Sequence, residues 1–349
     1  MLYIIMLSRV NCLLFILLFC FETHIFATSD CPFVSSTGDR RTNKNRLRLV
    51  QFNAEWLFID YYSAMSCPGS GCTWHSVEDA ETHMKYIADV INKLEPDIIN
   101  ICEVEGCNEL TKLQSYLYSG NIMTPYLKMG TDSATGQNVG MLTKIDPLVS
   151  LYRTEEKATY PVANSSCGSN ITGSTTVSKH YITEFEISGF NVAFISVHLL
   201  AIPTDPDRCA KREAQASVIQ KVVSSYIEQN YEIILIGDMN DYDSEVTDIN
   251  SNKPISKVLD ILKGDKLTNV AKSIRKDDRF SDWWDSDNNC DTNSVNDLSM
   301  IDHILVTPKL WNIISDVFIY HGYSEYCGKW NSDHWPVVVD LSTTFNVFP

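Results

Sequence analysis

The stretch Ile233–Tyr242 reads IILIGDMNDY: four aliphatic residues, a glycine, and then a cluster of oxygen-bearing side chains. A short apolar run that is bounded by a turn residue is typical of a buried β-strand. Asp238, Asn240 and Asp241 would leave that strand together at its carboxyl end. Asp and Asn are also common turn residues, so this stretch by itself fits a plain turn as well as a ligand site.

Other apolar segments predict an α/β domain around this strand. Alternating or continuous apolar runs predict strands at residues 46–53, 98–102, 138–143, 181–187, 191–197, 301–307 and 337–341. Ser76 opens the capping-box sequence SVED and a helix that Pro96 ends, and a second helix is predicted at about 210–228. Strands mixed with a few long helices indicate an α/β fold with both hairpins and crossovers.

The ends of these strands carry the side chains that are best suited to chemistry. The polar residues that leave or enter the apolar runs are Asn53, Glu103, His198, Asp238, Asn240, Asp302, Asp333 and His334. Each has an ordinary explanation by itself, but ligands of α/β sheets bind where strand ends gather. Converging carboxylates repel one another unless a cation lies among them, and oxygen donors suit Mg²⁺, Mn²⁺ or Ca²⁺. A hard cation in turn suits a phosphoryl group, beside which an Asp accepts a proton from water and a His stabilises or protonates.

Six motifs containing these residues occur in a familiar order. They are FNAEW (52–56), PDIINICEVE (96–105), SVHLL (196–200), IGDMND (236–241), IDHIL (301–305) and SDHWP (332–336). Over about residues 46–342 the chain resembles the endonuclease/exonuclease/phosphatase superfamily, which includes deoxyribonuclease I, apurinic endonucleases and neutral sphingomyelinases. The resemblance implies a deoxyribonuclease I-like α/β fold, a four-layered sandwich of two packed mixed β-sheets flanked by helices, with the site at one rim.

The resemblance also implies roles for individual residues. Glu103 matches the metal-binding Glu, with Asn53 beside it, and Asp333 matches a further carboxylate on the metal side. Asp238 matches the residue that positions or deprotonates the attacking water, and Asn240 matches the one that holds the phosphate. The remaining matches are His334 as the histidine at the scissile phosphate, His198 as the second histidine, and Asp302 as the carboxylate of a supporting pair. We expect Asp302 or Asp333 to orient His334 or His198, and the sequence leaves open which carboxylate serves which histidine.

Two positions depart from the pattern of deoxyribonuclease I. That nuclease has an acidic partner for one histidine where this chain has Gln137-Asn138, so the orientation of His198 is in question. Ser178-Lys179-His180 lies where the nuclease has a phosphate-contacting Arg. Lys179 is therefore the expected substrate-binding cation, although a solvated lysine at a strand start is an alternative.

The motifs favour some branches of the superfamily over others. The inositol phosphatases require Cys-Asp-Arg where this chain has Ile301-Asp302-His303, so that branch is disfavoured. A secreted metal-dependent phosphodiesterase is expected, with Mg²⁺ or Mn²⁺ as cofactor and nucleic acid, DNA above RNA, as substrate. The alternatives are a phosphodiesterase acting on a phospholipid or sphingomyelin head group and a catalytically inactive binding protein on the same scaffold.

The termini and the composition predict an extracellular glycoprotein. Residues 1–27 have Arg9, the apolar run VNCLLFILLFCF and Ala27, as in a cleaved signal peptide, and residues 28–45 form an extension before the domain at 46–349. Nine cysteines remain after residue 27, of which Cys67 and Cys72 suit a local bridge and Cys102 is the expected free, buried thiol. Asn164 and Asn170 begin glycosylation sequons.

The charge and the loops add three further expectations. A net charge of −16 argues against tight binding to nucleic acid through counterion release, although an enzyme can hold one phosphate through a bound cation. Asp285, Asp287, Asn289 and Asp291 alternate like the start of a calcium loop, which makes a structural Ca²⁺ an option beside a solvated loop. We expect a monomer without a stable membrane span.

Overall fold

A computed structural model of the protein describes residues 29–32, 38–59, 74–285, 287, 289–291, 294–323 and 331–343. The predicted signal peptide at 1–27 and the predicted Cys67–Cys72 bridge lie outside the described residues. Among the described residues, no helix is long and apolar enough to cross a membrane.

Strands and helices alternate along the chain as an α/β domain requires. The strands, in chain order, are β1 (Arg46–Leu57), β2 (Ile98–Val104), β3 (Thr124–Leu127), β4 (Asn138–Thr143), β5 (Ala158–Tyr160), β6 (Gly173–Thr175), β7 (His180–Ile187), β8 (Phe190–His198), β9 (Glu232–Asp238), β10 (Thr268–Asn269), β11 (Asp282–Trp283), β12 (Leu298–Ser299), β13 (Asp302–Val306), β14 (Ile314–Ile319) and β15 (Val337–Ser342). The α-helices are α1 (Val77–Leu94), α2 (Cys107–Tyr116), α3 (Pro206–Glu228), α4 (Val258–Lys263) and α5 (Pro308–Trp311). Short 3₁₀ helices cover Gly120–Ile122, Val270–Ser273, Lys276–Asp278 and Val295–Asp297.

Two mixed sheets form the centre of the domain. A six-stranded sheet has the order β14-β15-β1-β2-β4-β3, and a five-stranded sheet has the order β10-β13-β9-β8-β7. Within them β1 runs parallel to β2 and β8 parallel to β9, while the other paired strands are antiparallel. Two small ribbons, β5–β6 and β11–β12, lie outside these sheets.

Side-chain alternation along the strands creates four layers. One cluster joins inward residues of both sheets, such as Leu49, Phe194 and Ile236, into the core between them. The intervening residues of the first sheet pack against α1, and those of the second sheet pack against α3. The four-layered α/β sandwich predicted from the sequence is therefore confirmed.

The helix boundaries follow from capping residues. Ser76 Oγ accepts from Asp79 N at the start of α1, and Glu95 takes a left-handed conformation at its end, directly before Pro96. Helix α3 begins at Pro206, four residues before the predicted start, because Asp205 caps two backbone N–H groups and Pro206 fits the first turn. Helix α2 and the edge strands β3 and β14 were not predicted, since short edge elements carry a weak periodic signal.

Disulfides attach the start of the described chain and a loop to the domain. Cys31 is bonded to Cys107 at the start of α2, and Cys167 is bonded to Cys209 in α3. Cys102 is free and buried, as predicted, within the core between the sheets.

Candidate active site

The two sheets bring their polar strand ends to one rim. In the second sheet Asp238 pairs in register with both His198 and Asp302, so three predicted residues lie side by side. In the first sheet Asn53 and Glu103 come from the neighbouring strands β1 and β2. His334 precedes β15, the strand on the other side of β1.

The amide of Asn53 lies at the centre of this group. Its Nδ2 is 3.2 Å from Glu103 Oε1, 3.0 Å from Asp238 Oδ2 and 3.3 Å from His334 Nε2. The residue is buried, and Ser332 Oγ donates to its backbone carbonyl. Asn53 therefore joins residues from both sheets and from the loop before β15.

Asp302 orients His334, which answers the question that the sequence left open for this histidine. His334 Nδ1 lies 2.7 Å from Asp302 Oδ2, and because a carboxylate oxygen accepts, Nδ1 carries the proton. Gln51 Nε2 and Ser281 Oγ also donate to this carboxylate, at 3.0 and 2.9 Å. Burial lowers the pKa of His334, but the charge and hydrogen bond of Asp302 outweigh it and raise that pKa well above the usual range.

Asp238 and Asn240 form the next part of the rim. Asn240 N donates to Asp238 Oδ1 at 2.9 Å, and Asn240 Nδ2 donates to the carbonyl of Leu199 at 3.2 Å. Burial and the nearby Asp302 raise the pKa of Asp238, while Asn53 and Asn240 partly oppose the rise. A carboxyl group with a raised pKa is a better proton acceptor than an ordinary Asp.

His198 and Lys179 occupy the far side of the rim. His198 Nε2 is 3.6 Å from Asp238 Oδ2, and its buried Nδ1 has no hydrogen-bond partner among the described residues. Lys179 Nζ lies 3.5 Å from His198 Nε2, donates to Gln137 Oε1 at 3.1 Å and lies 3.6 Å from Asp132 Oδ2. Burial and the charge of Lys179 hold the pKa of His198 well below its usual range. Gln137 therefore serves the lysine and not the histidine.

The chemistry of the oxygen donors fits a hard cation. Asp333 keeps 32% of its side chain exposed, and its backbone N–H donates to Glu55 Oε2 at 3.1 Å. Burial and the neighbouring carboxylates of Glu55 and Glu103 raise the pKa of Asp333 well above the usual range, and the charge of His334 partly opposes the rise. Glu103 Oε1 is within reach of Asn53 and His198, so Glu103, Asp333 and Asn53 present oxygen atoms that Mg²⁺ or Mn²⁺ prefers.

Several residues of this rim were not found from the sequence. Asp282 Oδ1 lies 3.5 Å from His334 Nε2, on the β11–β12 ribbon, and Ser299 Oγ fixes its other oxygen at 2.8 Å. Gln51 and Ser281 were also missed, because a single polar residue inside strand β1 or in the loop before β11 carries no pattern of its own. Trp283 beside Asp282 is buried, and Trp284 is 70% exposed.

Other polar residues from the same motifs face away from the rim. The Asp241 carboxylate binds buried Arg212 at 2.8 Å and Ser256 Oγ at 2.7 Å, and His303 binds the Asp241 carbonyl and Asn269. These contacts make Asp241 a support of the turn that follows β9.

The acidic loop, for which the sequence left a calcium site as an option beside a solvated loop, brings together only some of the residues considered for calcium. Carboxylate oxygens of Asp285 and Asp287 lie within 4.8 Å of one from Asp297, a residue that the sequence did not suggest. Asp285 also accepts backbone N–H bonds from Asn289 and Cys290, which gives the turn a purely structural explanation. Structural calcium at this loop stays a prediction.

Comparisons with known proteins agree with this architecture. A model of the Endonuclease/Exonuclease/phosphatase family matches residues 73–334. A search of the curated proteins finds no significant match.

Three of the solved structures with a similar fold come from two bacteria and a nematode. An endonuclease/exonuclease/phosphatase from Beutenbergia cavernae is 15% identical, covers 85% of this chain and 72% of its own, and has a TM-score of 0.51. A family protein from Leptotrichia buccalis is 13% identical over 84% of this chain and 98% of its own, with a TM-score of 0.50. Truncated TDP2 from Caenorhabditis elegans is 18% identical over 85% of this chain and 97% of its own, with a TM-score of 0.49. At these low identities, the similarity to the first two structures indicates a shared fold.

Proposed function

Since the chain belongs to the endonuclease/exonuclease/phosphatase family, we propose that it is a divalent-metal-dependent phosphodiesterase that hydrolyses nucleic acid, with DNA as the favoured substrate. The observation that supports this most strongly is the pair of groups on either side of Asn53. His334 Nε2 lies 3.3 Å from the amide nitrogen of Asn53, and Asp238 Oδ2 lies 3.0 Å from the same nitrogen. The raised pKa of His334 keeps a proton on that residue, and the raised pKa of Asp238 suits its carboxyl group to accept one. A hydrolysis that needs both a proton donor and a proton acceptor fits this arrangement.

Glu103 and Asp333, with Asn53 between the sheets, are the residues that would hold Mg²⁺ or Mn²⁺. When bound, such an ion neutralises the negative charge that develops on the phosphoryl oxygens. The side chains of the protein do the rest of the proposed work. Asp238 accepts a proton from the water that attacks phosphorus, and Asn240, whose backbone is tied to Asp238, holds the phosphate beside it.

Protonated His334 completes the proposed reaction. As the P–O bond to the leaving group breaks, His334 Nε2 donates its proton to the departing oxygen, and Asp302 keeps the ring in the required tautomer through Nδ1. Lys179 contacts a non-bridging oxygen of the phosphate from the side of His198. The proton taken up by Asp238 and the proton lost by His334 balance over one turnover.

Substrate class is tested by direct competition between chemistries. The secreted full-length protein is incubated with plasmid DNA, RNA and choline phospholipids, each with Mg²⁺, Mn²⁺ or EDTA, with His334→Ala as the matched inactive variant. Metal-dependent nicking of plasmid that disappears in the variant supports the nuclease. Cleavage of phospholipid without cleavage of DNA or RNA would indicate a phosphodiesterase that acts on lipids, in which exposed Trp284 is available to contact a lipid surface. No turnover of any phosphodiester would refute the proposal and favour the inactive binding protein.

We further propose that the protein is a secreted glycoprotein whose domain spans 46–349. Asn164 and Asn170 are exposed and lie on either side of Cys167, which forms a disulfide with Cys209. Disulfides are typical of oxidising compartments. Recovery of the protein from the culture medium, with residues 1–27 removed as read by mass spectrometry, is the expected result.

A further inference from the structure

The segment of β1 that delivers Asn53 to the rim has an irregular backbone. The pairing of β1 with β2 shifts register between Asn53 and Leu57, and within this bulge Glu55 and Trp56 have φ values of 46° and 50°. Residues other than glycine rarely adopt this left-handed region. Such strain persists only where surrounding contacts hold the backbone, and it occurs often at functional sites.

The bulge shapes the metal side of the rim directly. Glu55 N donates to Asn53 Oδ1 at 3.1 Å, and Trp56 N donates to Glu103 Oε2 at 3.0 Å. Glu55 Oε2 accepts from Asp333 N at 3.1 Å. A small rotation of the bulge would therefore move the oxygen atoms of Asn53, Glu103 and Asp333 together.

Two aromatic side chains outside the rim hold the bulge by its carbonyl groups. His83, fully buried on α1, places Nε2 at 2.7 Å from the Ala54 carbonyl, so this nitrogen is the donor. Trp74 Nε1 donates to the Trp56 carbonyl at 2.8 Å. The two rings stack on each other with centroids 4.0 Å apart, which fixes both donors relative to the helix.

We propose that His83 and Trp74 are positioning residues that set the affinity of the site for its divalent cation. The inference rests on the proposed function only in that the rim binds a metal. The stacked pair keeps the bulge in its left-handed conformation, so that the oxygen atoms of Asn53, Glu103 and Asp333 converge. Neither residue touches the substrate or the cation.

The test measures Mn²⁺ affinity of the resting, full-length protein by calorimetry, without substrate. Trp74→Phe and His83→Phe remove one donor each and keep an aromatic ring, whereas His83→Gln keeps an N–H at about the same reach. We expect the two Phe variants to bind Mn²⁺ about tenfold more weakly and His83→Gln to bind it nearly as the parent does.

The control is Tyr126→Phe, which deletes one buried hydrogen bond, to Asp146 at 3.0 Å, on edge strand β3. It should lower the melting temperature without changing Mn²⁺ affinity. Melting curves in EDTA separate folding from metal binding. If His83→Phe does not fold, the Mn²⁺ affinities of Trp74→Phe and His83→Gln decide whether the stacked pair has the positioning role.

Failure of this inference and failure of the proposed function give different results. Unchanged Mn²⁺ affinity in the Phe variants of a protein that binds Mn²⁺ and cleaves DNA would overturn only the positioning role. Weaker Mn²⁺ binding in the variants of a protein that cleaves no phosphodiester would support the positioning role and overturn the proposed function. A parent protein that binds no Mn²⁺ would overturn both.

Discussion

Replacing Asp302 by Asn removes the charge beside His334 and conserves the shape of the side chain. The carboxylate accepts from Gln51 Nε2 on one oxygen and from both Ser281 Oγ and His334 Nδ1 on the other. An Asn amide nitrogen would face a donor in either orientation. The substitution therefore costs a charge-assisted bond and creates a donor–donor contact inside the protein.

The size of the effect follows from the strength of that bond. A hydrogen bond to a charged group contributes about 1.5–3 kcal/mol, and one pKa unit corresponds to about 1.4 kcal/mol. The pKa of His334, which the charge and hydrogen bond of Asp302 raise, should thus fall in Asp302→Asn. Loss of ring orientation should lower kcat by about 10- to 100-fold at neutral pH.

The sign of the pH effect follows from which form of His334 is active. The protonated form donates to the leaving group, so activity is lost as the pH rises through the pKa of His334, and the alkaline limb of the pH–rate profile should move to lower pH in Asp302→Asn. The raised pKa also stabilises the folded chain below the unfolded histidine pKa of about 6.5, and this contribution is lost as the pH rises through the folded value. The variant should therefore lose most stability at acidic pH.

The assay is a pH–rate profile on plasmid DNA together with melting curves at each pH. Asp340→Asn is the matched control, because Asp340 is bound by Arg48 at 2.6 and 2.8 Å in the first sheet. It should change the melting temperature and leave the alkaline limb in place. An Asp302→Asn enzyme with kcat within twofold of the parent and an unmoved limb would refute the role assigned to this pair.

Three further predictions concern other parts of the site and the surface. Asp238→Asn should lower the single-turnover rate by at least about 100-fold while Mn²⁺ binding persists, and a rate near that of the parent would remove Asp238 from proton transfer. Lys179→Met should raise KM and weaken inhibition by inorganic phosphate about tenfold, with little change in kcat. Asp132→Asn should show part of this effect, because Asp132 lies 3.6 Å from Lys179 Nζ, and it should add nothing in the double variant. Additive effects of the two substitutions would contradict a coupling between Lys179 and Asp132. Treatment of the secreted protein with an N-glycosidase should reduce its mass in two steps, one of which disappears in Asn164→Gln and the other in Asn170→Gln; an unchanged mass would contradict glycosylation.

Much of the fold was accessible from local patterns. The strand at the start of Ile233–Tyr242, both long helices and the strands β7 and β8 were predicted because apolar runs and capping residues act over a few residues. Elements at the edges, such as β3, β14 and α2, were missed, since their stability comes from neighbouring strands and a disulfide more than from their own pattern. The boundary of α3 was displaced because Asp205 and Pro206 outweigh hydrophobic periodicity at a helix start.

The sequence by itself determined that polar residues at the ends of apolar strands, such as Glu103, His198 and Asp238, reach the rim, because an apolar strand places the residues at its end at the edge of the sheet. Only the tertiary structure decided their partners. Asp302 is far along the chain from Gln51 and contacts it because the two sheets pack face to face. Lys179 donates a hydrogen bond to Gln137, and Nδ1 of His198 has no partner among the described residues. Asp282 joins His334 through a two-strand ribbon with no pattern of its own. Pairing of charges depends on distances of a few ångströms between distant segments, and packing sets these distances, which local periodicity does not specify.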